Sequence, residues 1–123
     1  TFGDGDNREK IINVIKNNYK RNKTTKIISS NLYLNLINVD DILNALDIIL
    51  QNKCLAGDYN LVNPKNIRIS EIVSKFNSQN KKKLKIKWLS KKLLKEKIYK
   101  KKVIKNWHLK NSRIEDVINI ISK

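Results

Sequence analysis

Methionine is missing from these 123 residues, and cysteine, proline and histidine occur once each. A single thiol, Cys54, excludes an intramolecular disulfide and any multi-cysteine zinc site. It follows an apolar helical run and reads as a packed or surface-edge thiol, in keeping with a reducing, cytoplasmic setting. One histidine, His108 beside Trp107, excludes a multi-histidine metal centre and reads as an ordinary packing or surface residue. The three glycines, Gly3, Gly5 and Gly57, form no G-x-G-x-x-G fingerprint, and there is no P-loop. No apolar run approaches the ~18 residues of a membrane span, and the N-terminus carries no signal-peptide pattern. Acid is the scarce charge: 11 Asp and Glu stand against 27 Lys and Arg, for a net charge of +16.

What is abundant is lysine, isoleucine and asparagine, at 23, 19 and 18 residues. Their codons are rich in A and T, so an AT-rich genome accounts for much of the excess. The charge is also lopsided. Lys81 to Lys110 holds 14 lysines and one acid, Glu96, while the rest of the chain holds 13 basic and 10 acidic residues. A solvated lysine-rich face is the plainer reading; a functional basic patch for nucleic acid or another polyanion is the alternative. The length fits one domain that buries roughly 65% of its unfolded surface, and 40% hydrophobic residues supply a core.

Hydrophobic periodicity orders the chain. Thr1 to Asp6 reads as the end of a strand running into a tight turn, with Asp6 and Glu9 placed as a capping-box variant. A chain seldom starts inside a turn, so the expectation is the C-terminal piece of a larger protein. Asn7 to Asn18 is expected to be a helix, with Ile11, Ile12, Ile15 and Tyr19 on one stripe. Lys26–Ser29 and Tyr33–Val39 read as two short strands around a Ser-Ser-Asn turn. A helix is expected from Asp40, apolar nearly all round and therefore the best-buried element. Tyr59–Val62 reads as a strand closed by Asn63-Pro64, Ser70–Phe76 as a helix, Leu84–Leu89 as a half-buried strand with Trp88 inward, and Ser90–Lys100 as a basic helix. Ser112 to Glu115 reads as a capping box opening a last helix, with Val117, Ile118 and Ile121 inward.

Motifs for catalysis are few. Tyr19 to Lys23 spells Y-x-x-x-K, a spacing at which an ammonium can lower a phenol pKa. At the end of an apolar stripe, Tyr19 reads instead as a core residue. Asp40-Asp41, a pair of adjacent carboxylates, reads as N-cap and first-turn acid of the helix that follows.

Four segments, in order, resemble the C-terminal part of the extended short-chain dehydrogenases/reductases, the NAD-dependent sugar-nucleotide epimerases and dehydratases. Phe2-Gly3-Asp4-Gly5-Asp6 is similar to that family's Y/F-G-P-G-D turn, with Asp4 in place of Pro. Leu34 to Ile42, followed by Ala45, resembles R-D-F-I-H-V-D-D-V…A. Gly57 to Leu61 resembles G-x-Y-N-hydrophobic. Trp107 to Ser112 resembles W-x-P-x-x-S/T, with Leu109 in place of Pro. Asn80 to Lys105 matches least. The family's strand opens with a phosphate-contacting Arg followed by an acid; Leu34 and Asn35 stand there instead. A strand opening with Leu resembles the CDP-abequose and CDP-paratose synthase branch.

The resemblance implies a small α/β domain over residues 1–123, with short strands and about five helices. It would be the substrate-binding half of the enzyme, lacking the Rossmann half. Substrate contacts would come from Arg8, Lys10 and Asn35. It implies that NAD or NADP belongs to the full-length parent and that this chain binds neither. The parent's hydride chemistry would then reside in the missing half. The implied partners are a nucleotide-sugar and the Rossmann half, with no membrane and no specific nucleic acid.

Overall fold

The computed structural model describes residues 1–51, 56–96 and 104–123. Among them are four helices and five short strands in a mixed α/β arrangement: α1 (Ile11–Lys20), β1 (Thr25–Ile27), β2 (Leu32–Leu34), α2 (Val39–Leu50), β3 (Ile67–Arg68), α3 (Ile69–Gln79), β4 (Ile86–Trp88), β5 (Leu94–Lys95) and α4 (Ile114–Ser122). The strands form two small sheets. β1 pairs with β4 in parallel, Ile27 opposite Trp88. β2 is central in the other, antiparallel to β3 and parallel to β5. No described helix is long and apolar enough to cross a membrane.

The core lies between α1, α3, α4 and the sheets. Ile12 and Ile15 of α1, Ile69, Ile72 and Phe76 of α3, and Val117, Ile118 and Ile121 of α4 are buried together with Phe2. The α1 stripe holds as expected: the Tyr19 ring meets Phe76 edge-on at 5.1 Å between centroids. Tyr19 is thus a packing residue, with the Lys82 ammonium 4.5 Å above its ring. Trp88 turns inward and packs against the same core.

Several expectations are corrected. Helix α1 begins at Ile11 rather than Asn7: the Asp6 carboxylate accepts the Arg8 guanidinium at 2.7 and 2.8 Å and the Arg8 main-chain N–H at 3.1 Å, which closes a turn ahead of the helix instead of capping it. The two strands around Ser29-Ser30-Asn31 form no hairpin. Their turn is stitched to the 90–92 segment (Ser30 N–H to Ser90 O, 3.0 Å; Asn31 Nδ2 to Lys91 O, 2.9 Å), which sends β1 and β2 into different sheets. Residues 59–62 form no strand, since both edges of β2 are already occupied. Within the expected basic helix, Leu94–Lys95 is a strand, recruited by β2; Ile98, Tyr99 and Lys100 lie outside the described residues, as does Cys54. The capping box of α4 sits one residue later than expected, with the Arg113 N–H donating to Asp116 at 2.9 Å.

The largest correction concerns α2. Its apolar residues are mostly in solvent: Leu43 is 53% exposed, Leu46 44% and Leu50 79%, and only Asp41 and Ala45 are buried. An all-round apolar sequence says that a helix has apolar faces, not that this chain covers them. Nor is Asp40 its cap. Asn38 is, with an extended backbone and Oδ1 accepting the Asp40 N–H at 2.9 Å.

Candidate functional site

Three of the four segments singled out in the sequence, those at 2–6, 34–42 and 107–112, meet in space. Phe2 forms a parallel bridge with Asn38: its N–H donates to Ile37 O at 3.0 Å, and the Val39 N–H returns to Phe2 O at 2.9 Å. Gly3 is required by this approach, since a Cβ there would lie 2.6 Å from Val39 Cγ1. Gly5 is required by its φ of +71°. The Asn38 N–H donates to Ser112 Oγ at 2.8 Å, and that hydroxyl donates to Asp41 at 2.5 Å. Asn63, two residues past the G-x-Y-N-hydrophobic segment, joins the same point. Its Nδ2 donates to Leu36 O at 3.0 Å and Ser112 O at 3.1 Å.

Asp41 is the centre of this junction and fully buried. Its carboxylate accepts the Lys110 N–H at 2.9 Å, the Asn111 N–H at 3.0 Å and the Ser112 hydroxyl, while its main-chain oxygen accepts Trp107 Nε1 at 2.8 Å. A buried carboxylate is tolerated when donors surround it, and the first turn of α2 adds the positive end of its dipole. The Asp-Asp and Trp…Ser segments are therefore a clamp that ties residues 107–112 to α2. Their contacts give them a structural role.

Arg8 and Lys10 stand at the start of α1: Arg8 Nη2 donates to Thr1 Oγ1 at 2.7 Å, and Lys10, exposed, occupies the helix N-cap position. Asn35 lies on the segment that follows β2. Asn35 reaches Glu96 through its backbone N–H, at 2.8 Å. The Asn35 side chain is fully engaged in the fold: Oδ1 accepts the Asn63 N–H at 3.0 Å, and Nδ2 donates to Asn63 O at 2.7 Å and Asn66 Oδ1 at 3.0 Å. It sets the 63–66 turn. Arg8 is largely exposed but paired with Asp6.

The helix N-termini differ in a way that sequence reading missed. First turns of α2, α3 and α4 carry acids: Asp40 and Asp41, Glu71, and Glu115 with Asp116. The first turn of α1 carries none, has no side-chain cap, and is preceded by Arg8 and Lys10. Unclosed N–H groups and a positive dipole end attract anions; the acids at the other three ends repel them. The signal in the sequence was the absence of an acid between Lys10 and Val14, masked by reading Glu9 as a helical residue. Reasoning from sequence also missed Lys65 and Arg113, which line a cleft of about 320 Å³ with Asn66, Ile67, Glu71 and Ile114.

His108 is exposed, and no group of His, Cys, Asp or Glu among the described residues could hold a metal ion. Three surface carboxylates are held below their ordinary values: Asp6 by hydrogen bonds from Arg8, Asp4 by a hydrogen bond from Lys123, and Glu115 by a hydrogen bond from Lys75. Their folded-state pKa values lie below the ordinary 3.8 and 4.5. The stability they contribute is therefore complete above pH 4.5 and is lost as pH falls below 3.8 through the lowered values. Thermal melts from about pH 6 to about pH 3 should show a falling midpoint, and a triple Asp4→Asn, Asp6→Asn, Glu115→Gln variant a shallower fall. These ion pairs are exposed, so the effect is small.

A scan against protein-family models finds no match, and a comparison with curated proteins finds none either.

Proposed function

We propose that this chain is the nucleotide-sugar-binding part of an NAD(P)-dependent epimerase, dehydratase or reductase, and that it is not catalytic alone. The observation that carries the reading is the N-terminus of α1. Its first turn has no side-chain cap and carries no acid of its own, and Arg8 and Lys10 precede it, directly after the turn that resembles Y/F-G-P-G-D. A nucleotide diphosphate carries about two negative charges, and charge-assisted hydrogen bonds from Arg or Lys are its natural partners. The position that usually supplies a phosphate-contacting Arg holds Leu34, so Arg8 and Lys10 take that role. The ordered set of four segments, and the meeting of three of them around Ser112 and Asp41, supports the family assignment.

The dinucleotide does not fit this chain. It has no glycine-rich turn to bring backbone N–H groups onto a pyrophosphate, and the first turns of α2, α3 and α4 are acidic. NAD or NADP belongs to the proposed partner, a Rossmann half. What these residues do is bind and orient: Arg8 and Lys10 hold phosphate oxygens, and Asn35 fixes the 63–66 turn.

Calorimetric titration tests this. A nucleoside diphosphate-sugar should bind at least about tenfold tighter than NAD, a difference of about 1.4 kcal/mol. A double Arg8→Ala, Lys10→Ala change should remove that preference, since each charged hydrogen bond contributes about 1.5–3 kcal/mol, with little change in melting temperature. Micromolar NAD binding, or an unaffected double variant, overturns the assignment.

A further inference from the structure

Two exposed apolar surfaces on this chain carry opposite charge. On α2, Val39, Leu43, Leu46 and Leu50 recur at i, i+4, i+7 and i+11, which makes one stripe. All four are exposed, and the stripe lies opposite the face that buries Asp41 and Ala45. Exposed Asp40 and Asp47 flank it, and α2 contains no cation. The second surface is the outer face of the β1–β4 pair. Since Ile27 is in register with Trp88, Ile28 and Leu89 fall side by side one step further along, on the face turned away from the core. They are 59% and 56% exposed. Lys26 and Lys87, register partners two residues earlier, share that outer face.

We propose that the α2 stripe of one copy docks on the β1–β4 outer face of a second copy of this chain. The two surfaces are complementary on both counts. Leucines at helical spacing meet the Ile28–Leu89 patch, and the aspartates beside the stripe meet the lysines beside the patch. Exposed clusters of this kind mark interaction sites, and charge matching around an apolar centre selects the partner and register. The two surfaces are different parts of the molecule, so the contact is heterologous, head to tail. Copies of net charge +16 repel at long range, but at physiological salt the screening length is ~8 Å, and the contact is decided by the matched surfaces.

Sedimentation velocity over a concentration series at physiological salt tests the proposal, with circular dichroism confirming that each variant is folded. The wild type should associate. Asp47→Lys and Lys87→Glu should each weaken association at least about tenfold, and the double swap should restore it. Leu43→Asn with Leu46→Asn should abolish it without unfolding, because both side chains are already in water. A chain that stays monomeric overturns the proposal and leaves the stripe for a different protein. Association that responds to Leu43 and Leu46 but not to Lys87→Glu overturns it too, in favour of two α2 stripes pairing with each other. Neither result bears on nucleotide-sugar binding at Arg8 and Lys10.

Discussion

Replacing Asp41 by alanine should destabilise the fold by about 3–5 kcal/mol, whereas Asp40→Ala should cost no more than about 1 kcal/mol. Asp41 is fully buried, and its loss would leave the Lys110 N–H, the Asn111 N–H and the Ser112 hydroxyl without their acceptor. Each unsatisfied buried donor costs about 1–3 kcal/mol. Asp40 is exposed and interacts with little beyond the helix dipole. Two capping residues would instead give similar losses of about 1 kcal/mol each. Urea unfolding of both single variants separates the accounts. Ser112→Ala supplies a second reading: it should recover part of the Asp41→Ala loss in a double-mutant cycle, because the two side chains share one hydrogen bond. Strict additivity would contradict the clamp.

The second large effect is expected in the core and its counterpart on α2. Phe76→Ala should cost about 3–5 kcal/mol, since the ring is fully buried and packs edge-on to Tyr19. Leu50→Ala should stay within about 0.5 kcal/mol, since that side chain is mostly in water in a single copy. Both are measured by chemical denaturation at a concentration where the chain is monomeric. If Leu50→Ala were as costly as Phe76→Ala, α2 would be a core helix, as its sequence suggests.

The contrast between these helices shows what periodicity can and cannot convey. In α1, α3 and α4, apolar residues alternate with Lys, Asn, Ser and Glu at helical spacing, so the inward face is marked by the polar face opposite it. Ile15, Phe76 and Ile121 were readable for that reason. In α2 the apolar residues go nearly all the way round, and nothing local says which side is covered. The burial of Asp41 was equally hidden. Its partners lie about 70 residues away, at Lys110, Asn111 and Ser112, and an acid before an apolar helix looks the same whether it faces water or a loop. Strand pairing was misread where sequence neighbours looked like spatial ones. Ser29-Ser30-Asn31 has turn composition, but its hydrogen bonds run to residues 90–92. Of the site, Arg8, Lys10 and Asn35 were named from a resemblance. The physical reason for the first two, an α1 N-terminus without acid or cap, required knowing that the helix starts at Ile11.

The central claim is that Arg8 and Lys10 at the start of α1 receive the diphosphate of a nucleotide-sugar. Its most direct test is a two-dimensional amide NMR titration of the whole chain with nucleoside diphosphate-sugars at physiological salt. The account predicts saturable shifts at the amides of Arg8 to Asn13, accompanied by Asn35 and the 63–66 turn, and their loss in the Arg8→Ala, Lys10→Ala variant. Shifts absent from the α1 N-terminus would contradict it. So would an oligonucleotide that moves the lysine-rich 81–96 segment and binds at about 10⁻⁸ M in the same salt, because a merely solvated lysine face should bind no better than about 10⁻⁶ M there.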